Sequence, residues 1–313
     1  AAALPTLADF RATRPTVDAG PAALGWRGAL RRATAGLITL GPGPAEVRQR
    51  TAIQSVTRPL SGPKTICVVN PKGGAHKTTA AMLIAATFGT HRGGYTLAWD
   101  NNETRGTLGW RAQQSSHTKT AVDLLADLDR FSDIRSSTVG DLDEYVRAQA
   151  GAQFDVLASD EDAAASSMID GEAFTRLHQT LQRFYRIIVV DTGNNMRASN
   201  WEAAVAAADQ LVIVSAMRED TAAGAAWMVE GLSGRGHEAK LQSAVTVLSA
   251  PDKKVDPRLR GRLHDHFGSL TRAVVEVPYD RSLVSGSGID MTRLAPATRE
   301  AWLEVGATIA KGL

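Results

Sequence analysis

A stretch rich in lysine and glycine carries the clearest chemistry in this sequence, because it lies between a short apolar run and a helical pattern. Its residues are Val69, Asn70, Pro71, Lys72, Gly73, Gly74, Ala75, His76, Lys77, Thr78 and Thr79. Glycines permit backbone N–H groups to approach a polyphosphate, and a helix N-terminus adds the positive end of its dipole. Lys77 would then reach the β- and γ-phosphates, and the hydroxyl of Thr78 would bind Mg²⁺. We therefore predict a triphosphate site along this stretch, formed by Gly73, Gly74, Ala75, His76, Lys77, Thr78 and Thr79.

Two positions of this loop depart from the strict phosphate-loop pattern G-x-x-x-x-G-K-[ST]. Pro71 and His76 stand where that pattern has glycines. His76 adds bulk beside the predicted phosphates. We expect it to fit if the backbone there is already helical, because only a positive φ excludes most side chains.

The elements around this loop follow a βα alternation. Short apolar runs rich in β-branched residues predict six strands, at 65–69, 96–99, 186–190, 210–215, 244–248 and 273–277. Helical patterns lie between and around them, at 78–88, 171–183, 197–208, 219–232, 257–267 and 297–311. Strands that are apolar on both faces, with intervening helices, indicate a mostly parallel sheet covered on both sides. The predicted fold class is α/β, a doubly wound sheet.

Carboxylates follow two of the predicted strands. Asp100 comes directly after the second strand and Asp191 after the third. At the carboxyl ends of parallel strands both would face the same crevice as the loop. An aspartate at the end of a buried strand is otherwise common as a turn or helix cap, and that alternative stays open for Asp191.

The motif Lys72-Gly-Gly-x-x-Lys77-Thr resembles the deviant Walker A loop of the ParA/MinD family of P-loop ATPases (SIMIBI class), and the similarity extends over 64–311. The resemblance implies ATP and Mg²⁺ as ligands, and a nucleotide-sandwich homodimer in which Lys72 reaches the partner's phosphates. The segment from Trp99 to Glu103 resembles switch I, which implies catalytic and metal roles for Asp100. The run ending at Asp191 resembles a Walker B strand, with its carboxylate in the Mg²⁺ shell beside Thr78.

The resemblance to switch I is incomplete where the attacking water would be positioned. The family pattern is D-x-D, and here the second aspartate is replaced by Asn102. An amide can orient water but is a far poorer base, so we expect slow hydrolysis unless Glu103 substitutes. A pseudo-ATPase scaffold is therefore an alternative. Pro278 and Asp280 follow the last strand, where the family contacts adenine, and ordinary turns explain them nearly as well.

Two short segments resemble one particular group of proteins within this family. The stretches 25–46 and 99–110 look like the corresponding parts of actinobacterial EspI-type proteins, which accompany type VII (ESX) secretion. This implies a protein partner in the secretion machinery. Such proteins carry a long Pro-rich stretch ahead of the ATPase, so the Ala start leads us to expect a processed or shortened chain.

The amino-acid composition limits the classes of protein to which this chain can belong. With 35 Lys and Arg against 33 Asp and Glu, the net charge of +2 does not identify a nucleic-acid binder by itself. The single cysteine, Cys67, excludes an intramolecular disulfide framework and a cysteine metal cluster, and fits a cytoplasmic location. No apolar run approaches the roughly 18 residues that a membrane span needs.

The predicted organisation is a tail or linker at 1–22, a helical extension at 23–63 and an ATPase domain at 64–313. Within the extension, the basic amphipathic segment 24–38 could contact an anionic membrane at its inner face or pack as an ordinary helix. The stretch 252–272 carries six Lys or Arg against three Asp, net +3. That surface keeps a DNA-partition ATPase with non-specific DNA binding as the other alternative, although a solvated face explains it as well.

Overall fold

The computed structural model describes residues 20–93, 95–102, 106–131, 138–160 and 169–313. Most of the predicted tail and the predicted catalytic residue Glu103 lie outside the described residues. The chain divides into two units, Ala1–Gln54 and Ser55–Leu313. Helix α1 (Gly25–Ala33) belongs to the first unit, and helix α2 (Pro44–Thr57) begins in the first and ends in the second.

In the first unit, a carboxylate holds the start of α1. The side chain of Glu46 accepts hydrogen bonds from the backbone N–H groups of Ala23 (2.9 Å) and Leu24 (3.2 Å). It is also ion-paired with Arg50 at 2.6 Å, so the negative charge near the helix N-terminus is well compensated. The large apolar side chains of the segment are left exposed: Leu24, Trp26, Leu37 and Ile38.

The second unit is built on an eight-stranded sheet. Its strands are β1 (Lys64–Val69), β2 (Thr96–Asn101), β3 (Val146–Gln149), β4 (Phe154–Leu157), β5 (Ile187–Thr192), β6 (Gln210–Ala216), β7 (Val245–Ser249) and β8 (Ala273–Val277). They lie in the order β3-β4-β2-β5-β1-β6-β7-β8, and every neighbouring pair is parallel except β3 and β4. The predicted α/β class and all six predicted strands are confirmed.

Strands β3 and β4 were not predicted from the sequence. Each has only four residues, and the two are joined by a single 3-10 turn at Ala150–Ala152. In β3 a half-buried arginine and an exposed alanine lie between buried ends, so no apolar run marks it. The pair closes one edge of the sheet as an antiparallel hairpin next to β2.

Helices cover the sheet. They are α3 (Lys77–Arg92), α4 (Leu108–Arg111), α5 (Ala121–Ala126), α6 (Gly171–Leu181), α7 (Ser199–Ala207), α8 (Glu219–Ser233), α9 (Glu238–Ser243), α10 (Pro257–Leu270) and α11 (Pro296–Ala310). Helix α3 is buried from Thr79 to Gly89 because it lies between the sheet and α11. Helix α6 begins at a true N-cap, since Asp170 Oδ1 accepts from the N–H groups of Glu172 and Ala173. Its Phe174 stacks on Trp99 of β2, with ring centroids 4.6 Å apart.

A glycine in α3 permits the close packing of this helix on the β3–β4 turn. A Cβ added at Gly89 would lie 2.4 Å from the carbonyl oxygen of Ala152 and 2.5 Å from that of Gln153. Backbone atoms cannot move aside cheaply. We therefore predict that Gly89→Ala lowers the free energy of unfolding by roughly 1–3 kcal/mol, despite the better helix propensity of alanine.

Gly261 of α10 is the matched control, because a Cβ there meets no atom within 4 Å. Gly261→Ala should raise the free energy of unfolding by up to about 1 kcal/mol. Urea unfolding of both variants measures the difference. Equal stabilisation by the two substitutions would contradict the tight contact at Gly89.

Candidate functional site

The order of the strands brings the predicted loop and both predicted carboxylates to one edge of the sheet. Strand β1 lies between β5 and β6. The connection from β1 to β2 leads toward one edge of the sheet, and the connection from β5 to β6 leads toward the opposite edge. Ligands of open α/β sheets bind outside the carboxyl ends of the strands at such a reversal of order. The loop that follows β1 lies at this place.

The loop at 70–76 is held open by a buried amide. Asn70 donates from Nδ2 to the carbonyl oxygens of Val214 (2.7 Å) and Thr221 (3.1 Å), and its Oδ1 accepts from the N–H of Lys72 (2.8 Å). Gly74 has φ +77°, and a Cβ at Gly73 or Gly74 would meet no protein atom within 4 Å. The two glycines thus border open space rather than packed protein, which leaves room for a ligand against the backbone.

His76 differs from the expectation of a helical backbone, and that expectation was wrong. Its φ of 71° and ψ of 26° are left-handed, and it is the N-cap of α3. Histidine is among the few side chains that are enriched in this region, which explains how it replaces a glycine. The ring turns toward β7, where Nδ1 lies 2.9 Å from Ser249 Oγ. Although His76 as a whole stays exposed, desolvation of its ring against the protein, followed by the charges of Arg111 and Arg218, lowers the pKa of His76 and favours the neutral imidazole.

Lys77 and Thr78, the first residues of α3, are held by polar partners in the crevice. Lys77 is 8% exposed, and its Nζ donates to Asn194 Oδ1 at 2.6 Å and to the carbonyl oxygen of Lys72 at 3.4 Å. Thr78 Oγ1 donates to Asp191 Oδ2 at 2.7 Å. The side chain of Lys72, by contrast, is exposed at the rim.

The two predicted carboxylates are direct neighbours in the sheet. Asp100 of β2 and Asp191 of β5 are register partners, 1% and 0% exposed. Burial, and then the charge of Asp100, raises the pKa of Asp191 to about 7. Burial also raises the pKa of Asp100, against the opposing hydrogen bonds from the Asn102 side chain (2.6 Å) and the Leu108 N–H (3.1 Å). The pair forms a buried negative centre that is only partly compensated.

Two adjoining cavities lie along this crevice. The first has a volume of about 340 Å³ and is lined by Gly73–Thr79 and by polar groups that include Asn102 and Asn194. The second, about 210 Å³, has apolar walls that include Val277, Pro278 and Trp302. Three residues line both cavities: His76, Thr79 and Arg111. A polar end joined to an apolar end suits a molecule with phosphates at one end and a flat base at the other.

Both residues predicted at the adenine end, Pro278 and Asp280, line the second cavity, and Asp280 also helps to hold its wall together. Asp280 Oδ1 accepts from the N–H and Oγ of Ser282, and Oδ2 accepts from the N–H of Ala295. Burial alone would raise the pKa of Asp280, but hydrogen bonds from Ser282 and Ala295 outweigh it and lower the pKa to about 2. Both carboxylate oxygens are therefore already engaged within the protein.

Comparisons with known proteins agree with this geometry. No protein-family model matches the chain. In sequence it is similar to the ESX-1 secretion-associated protein EspI of Mycobacterium tuberculosis, with 26% identity over 294 residues that cover 91% of this chain and 42% of EspI. In structure it is similar to a ParA family ATPase from Chlorobium tepidum TLS, with TM-score 0.63 and 18% identity over 78% of this chain and 98% of that one.

The chain has the ParA/MinD fold. A second structural relative is the septum site-determining protein MinD from Pyrococcus horikoshii OT3 complexed with Mg-ADP, with TM-score 0.59 and 17% identity over 79% of this chain and 94% of that one. The predicted resemblance to the ParA/MinD family and to EspI-type proteins is confirmed. The chain spans less than half the length of the EspI sequences that it matches.

The residues present fit the nucleotide and the Mg²⁺ ion that the ParA/MinD fold implies. Asp191 Oδ1 is buried and has no hydrogen-bond partner among the described residues, while Oδ2 receives the hydroxyl of Thr78. No three His, Cys, Asp or Glu side chains in the described ranges form a metal cluster. One or two carboxylates with a hydroxyl suit Mg²⁺, which prefers oxygen ligands and keeps several waters.

Asn194 and Arg111 belong to the site although no sequence pattern marked them. Asn194 lies three residues after Asp191, so its contact with Lys77 could have been inferred from the strand end. Arg111 is on the one-turn helix α4, eleven residues after Asp100, and neither its position nor its type indicated a place between the cavities. Its side chain donates a hydrogen bond to Thr79 Oγ1.

Part of the charge in the basic stretch 252–272 is compensated. Arg260 and His264 both contact Glu276, and Arg262 is paired with Glu219 at 2.8 Å. Arg272 donates to the carbonyl oxygen of Thr308 at 3.0 Å. These contacts reduce the charge available to a phosphate backbone, but the other basic side chains of the stretch form no ion pair among the described residues, so the solvated face and the DNA surface both stay open. Within the described parts of the chain, no helix is long and apolar enough to cross a bilayer.

The contacts of Asp280 predict a pH-dependent contribution to stability. Because its pKa is lowered in the folded state, the contribution is complete above the unfolded pKa of about 4 and is lost as pH falls toward 2. At pH 7, Asp280→Asn should lower the free energy of unfolding by about 1–3 kcal/mol, since charge-assisted hydrogen bonds are lost. Urea unfolding at pH 7 and pH 3 should show a smaller difference at pH 3. A constant difference would contradict the lowered pKa.

Proposed function

We propose that this chain binds ATP with Mg²⁺ in the crevice at the carboxyl ends of β1, β2 and β5. The observation that carries the proposal is the unpartnered, buried Oδ1 of Asp191, whose other carboxylate oxygen accepts from the hydroxyl of Thr78, a residue that lines the open glycine-bordered cavity. A buried carboxylate that lacks a partner is unfavourable, and a bound cation would compensate it.

Each residue of the site has a distinct proposed role. Lys77 leaves Asn194 to contact the β- and γ-phosphates, while the amides from Gly73 to Thr79 bind phosphate oxygens. Thr78 and Asp191 hold the metal shell, with Asp100 behind them as the second carboxylate. Bound Mg²⁺ neutralises phosphate charge and fixes the orientation of the phosphate chain.

We further propose that ATP closes two copies of the chain into a dimer, with Lys77 acting in its own subunit and Lys72 in the opposite one. The exposure of Lys72 at the rim supports this division, because Lys77 is buried and directed into its own crevice. ATP shifts the equilibrium only if it binds the closed dimer better than the open monomer. A lysine that contacts phosphate solely in the dimer would supply such a difference.

The proposed biological role is regulation of a type VII secretion system through a protein partner. Its support is the similarity to EspI, which extends over 91% of this chain. The cytoplasmic location and the membrane contact of segment 24–38 stay predictions. Exposed Leu24 and Trp26 beside Arg27 are compatible with a peripheral contact.

Substitution of the two loop lysines separates binding from dimerisation. Lys77→Ala should weaken ATP affinity about 100-fold, because a charge-assisted contact worth roughly 3 kcal/mol is lost. Lys72→Ala should leave the ATP affinity of the monomer within about twofold and abolish ATP-induced dimerisation. Calorimetry measures the affinity and analytical ultracentrifugation the dimer.

Lys311→Ala is the matched control, since Lys311 is exposed and lies after the last helix, outside both cavities. It should change neither readout. Unaltered ATP affinity in Lys77→Ala would refute the assignment of the phosphate site. Dimerisation that persists in Lys72→Ala would refute the role of Lys72 in the opposite subunit.

Slow hydrolysis is expected from Asn102, whose amide donates to Asp100 at 2.6 Å and is a poor base. Asn102→Asp should raise phosphate release about tenfold or more, because a carboxylate can both orient and deprotonate water. Single-turnover phosphate release with ATP measures the rate, and Asn102→Ala is the control for loss of the amide alone.

The wild-type rate also decides between a slow enzyme and the pseudo-ATPase alternative. A rate at background that Asn102→Asp does not raise would favour the scaffold without turnover. Glu103→Gln tests the other candidate for the general base. If the wild type has a measurable hydrolysis rate and this variant falls to background, the base is Glu103, and Asn102 does not limit the rate.

A further inference from the structure

Arg111 occupies the boundary between the two cavities of the crevice. It ends the one-turn helix α4, and its side chain lines both the polar cavity and the apolar cavity. The guanidinium donates a hydrogen bond to Thr79 Oγ1 in the first turn of α3. The backbone of Arg111 is fixed from the opposite side, since its carbonyl oxygen accepts from the N–H of Ile289 at 3.1 Å.

The charge of Arg111 is not matched by a carboxylate contact. No ion pair of Arg111 exists among the described residues, although the guanidinium is partly buried. Burial lowers its pKa and the more distant charge of Asp191 opposes this, yet an arginine stays charged at neutral pH. Within the described ranges, the guanidinium is a partly desolvated cation whose hydrogen-bond partner is a neutral hydroxyl, and such a cation is unfavourable unless an anion binds beside it.

The geometry of the two cavities identifies which part of a nucleotide meets this cation. If the β- and γ-phosphates lie against Gly73–Thr78 and the base lies between Pro278 and the apolar wall, the molecule crosses from one cavity to the other at the shared residues. The atoms between the base and the β-phosphate are the ribose and the α-phosphate, and only the α-phosphate is anionic. We propose that Arg111 binds the α-phosphate within its own subunit.

This inference rests on the proposed nucleotide site and adds a residue that contacts the middle of the nucleotide, between the base and the β-phosphate. Of the other two shared residues, Thr79 is uncharged, and the Nδ1 atom of His76 is already in contact with Ser249 Oγ of β7 at 2.9 Å. The contact needs no γ-phosphate, so Arg111 contributes to binding of AMP, ADP and ATP alike. Arg111 also joins two parts of the site, since α4 begins where the N–H of Leu108 contacts Asp100 and its last carbonyl contacts the segment before α11.

Competition binding of AMP and adenosine tests the assignment with the full chain. Each compound displaces a fluorescent ADP analogue from the wild type, Arg111→Gln, Arg111→Lys and Arg281→Gln. The wild type should bind AMP at least about tenfold more tightly than adenosine, since a charge-assisted contact is present only with AMP. Arg111→Gln should remove this ratio and weaken ADP and ATP by a similar factor, leaving adenosine within about twofold.

Two further variants test whether the effect depends on the geometry and the position of the arginine. Arg111→Lys retains the charge but not the forked geometry, and should restore part of the ratio. Arg281 is an exposed arginine outside both cavities, so Arg281→Gln should match the wild type. A wild type that prefers AMP no more than adenosine, or an Arg111→Gln variant with an unchanged ratio, would overturn the inference. Equal losses of AMP and adenosine would also overturn it, because they would locate the effect at the base.

The outcome is separate from that of the proposed function. If the wild type takes up no adenine nucleotide, both the site and the role of Arg111 fail. If uptake is present and lost in Lys77→Ala but the AMP-to-adenosine ratio does not depend on Arg111, the site stands and this inference alone is refuted.

Discussion

The site depends on the burial of two neighbouring carboxylates at the ends of β2 and β5. Parallel pairing puts Asp100 and Asp191 in register, so the sheet itself fixes their proximity. Two negative charges in a nearly dry position repel each other and lose hydration, which raises the pKa of Asp191 to about 7. The surrounding cations and a hydroxyl act in the same direction, since Lys77, Thr78 and Arg111 all stabilise the charged form of Asp191.

The replacement of glycine by His76 shows how the loop keeps its shape without the usual residue. The left-handed backbone at φ 71° is retained, and the imidazole contacts Ser249 of β7. The ring thus lies along the wall between the cavities. Because His76 has a side chain where glycine has none, the N-cap of α3 forms part of the boundary between the polar and apolar ends of the crevice.

The sheet, the loop after β1 and the positions of the two carboxylates at the strand ends could be predicted because each depends on local signals. Buried β-branched runs marked the six parallel strands, and Lys77 and Thr78 follow the glycine pair Gly73 and Gly74 after two intervening residues. The β3–β4 edge was missed because four-residue strands with polar members leave no periodicity. Arg111 was missed for a different reason: its place depends on the path of the chain after β2 and on the contact with Ile289, which are tertiary properties. The hydrogen bond from the N–H of Ala295 to Asp280 likewise depends on packing between segments fifteen residues apart.

A crevice that is largely formed without a ligand has a consequence for the proposed role as a nucleotide-dependent switch. Asn70 already fixes the loop, and Lys77 is already in the crevice, held by Asn194. Little ordering is then required when phosphates enter, so less of the binding free energy is spent on arranging the site itself. The remainder is available to favour one assembly state over another, provided that some contacts form only in that state. An exposed Lys72 at the rim and a poor base at Asn102 fit this proposed division, because slow turnover would prolong the time that the bound state persists.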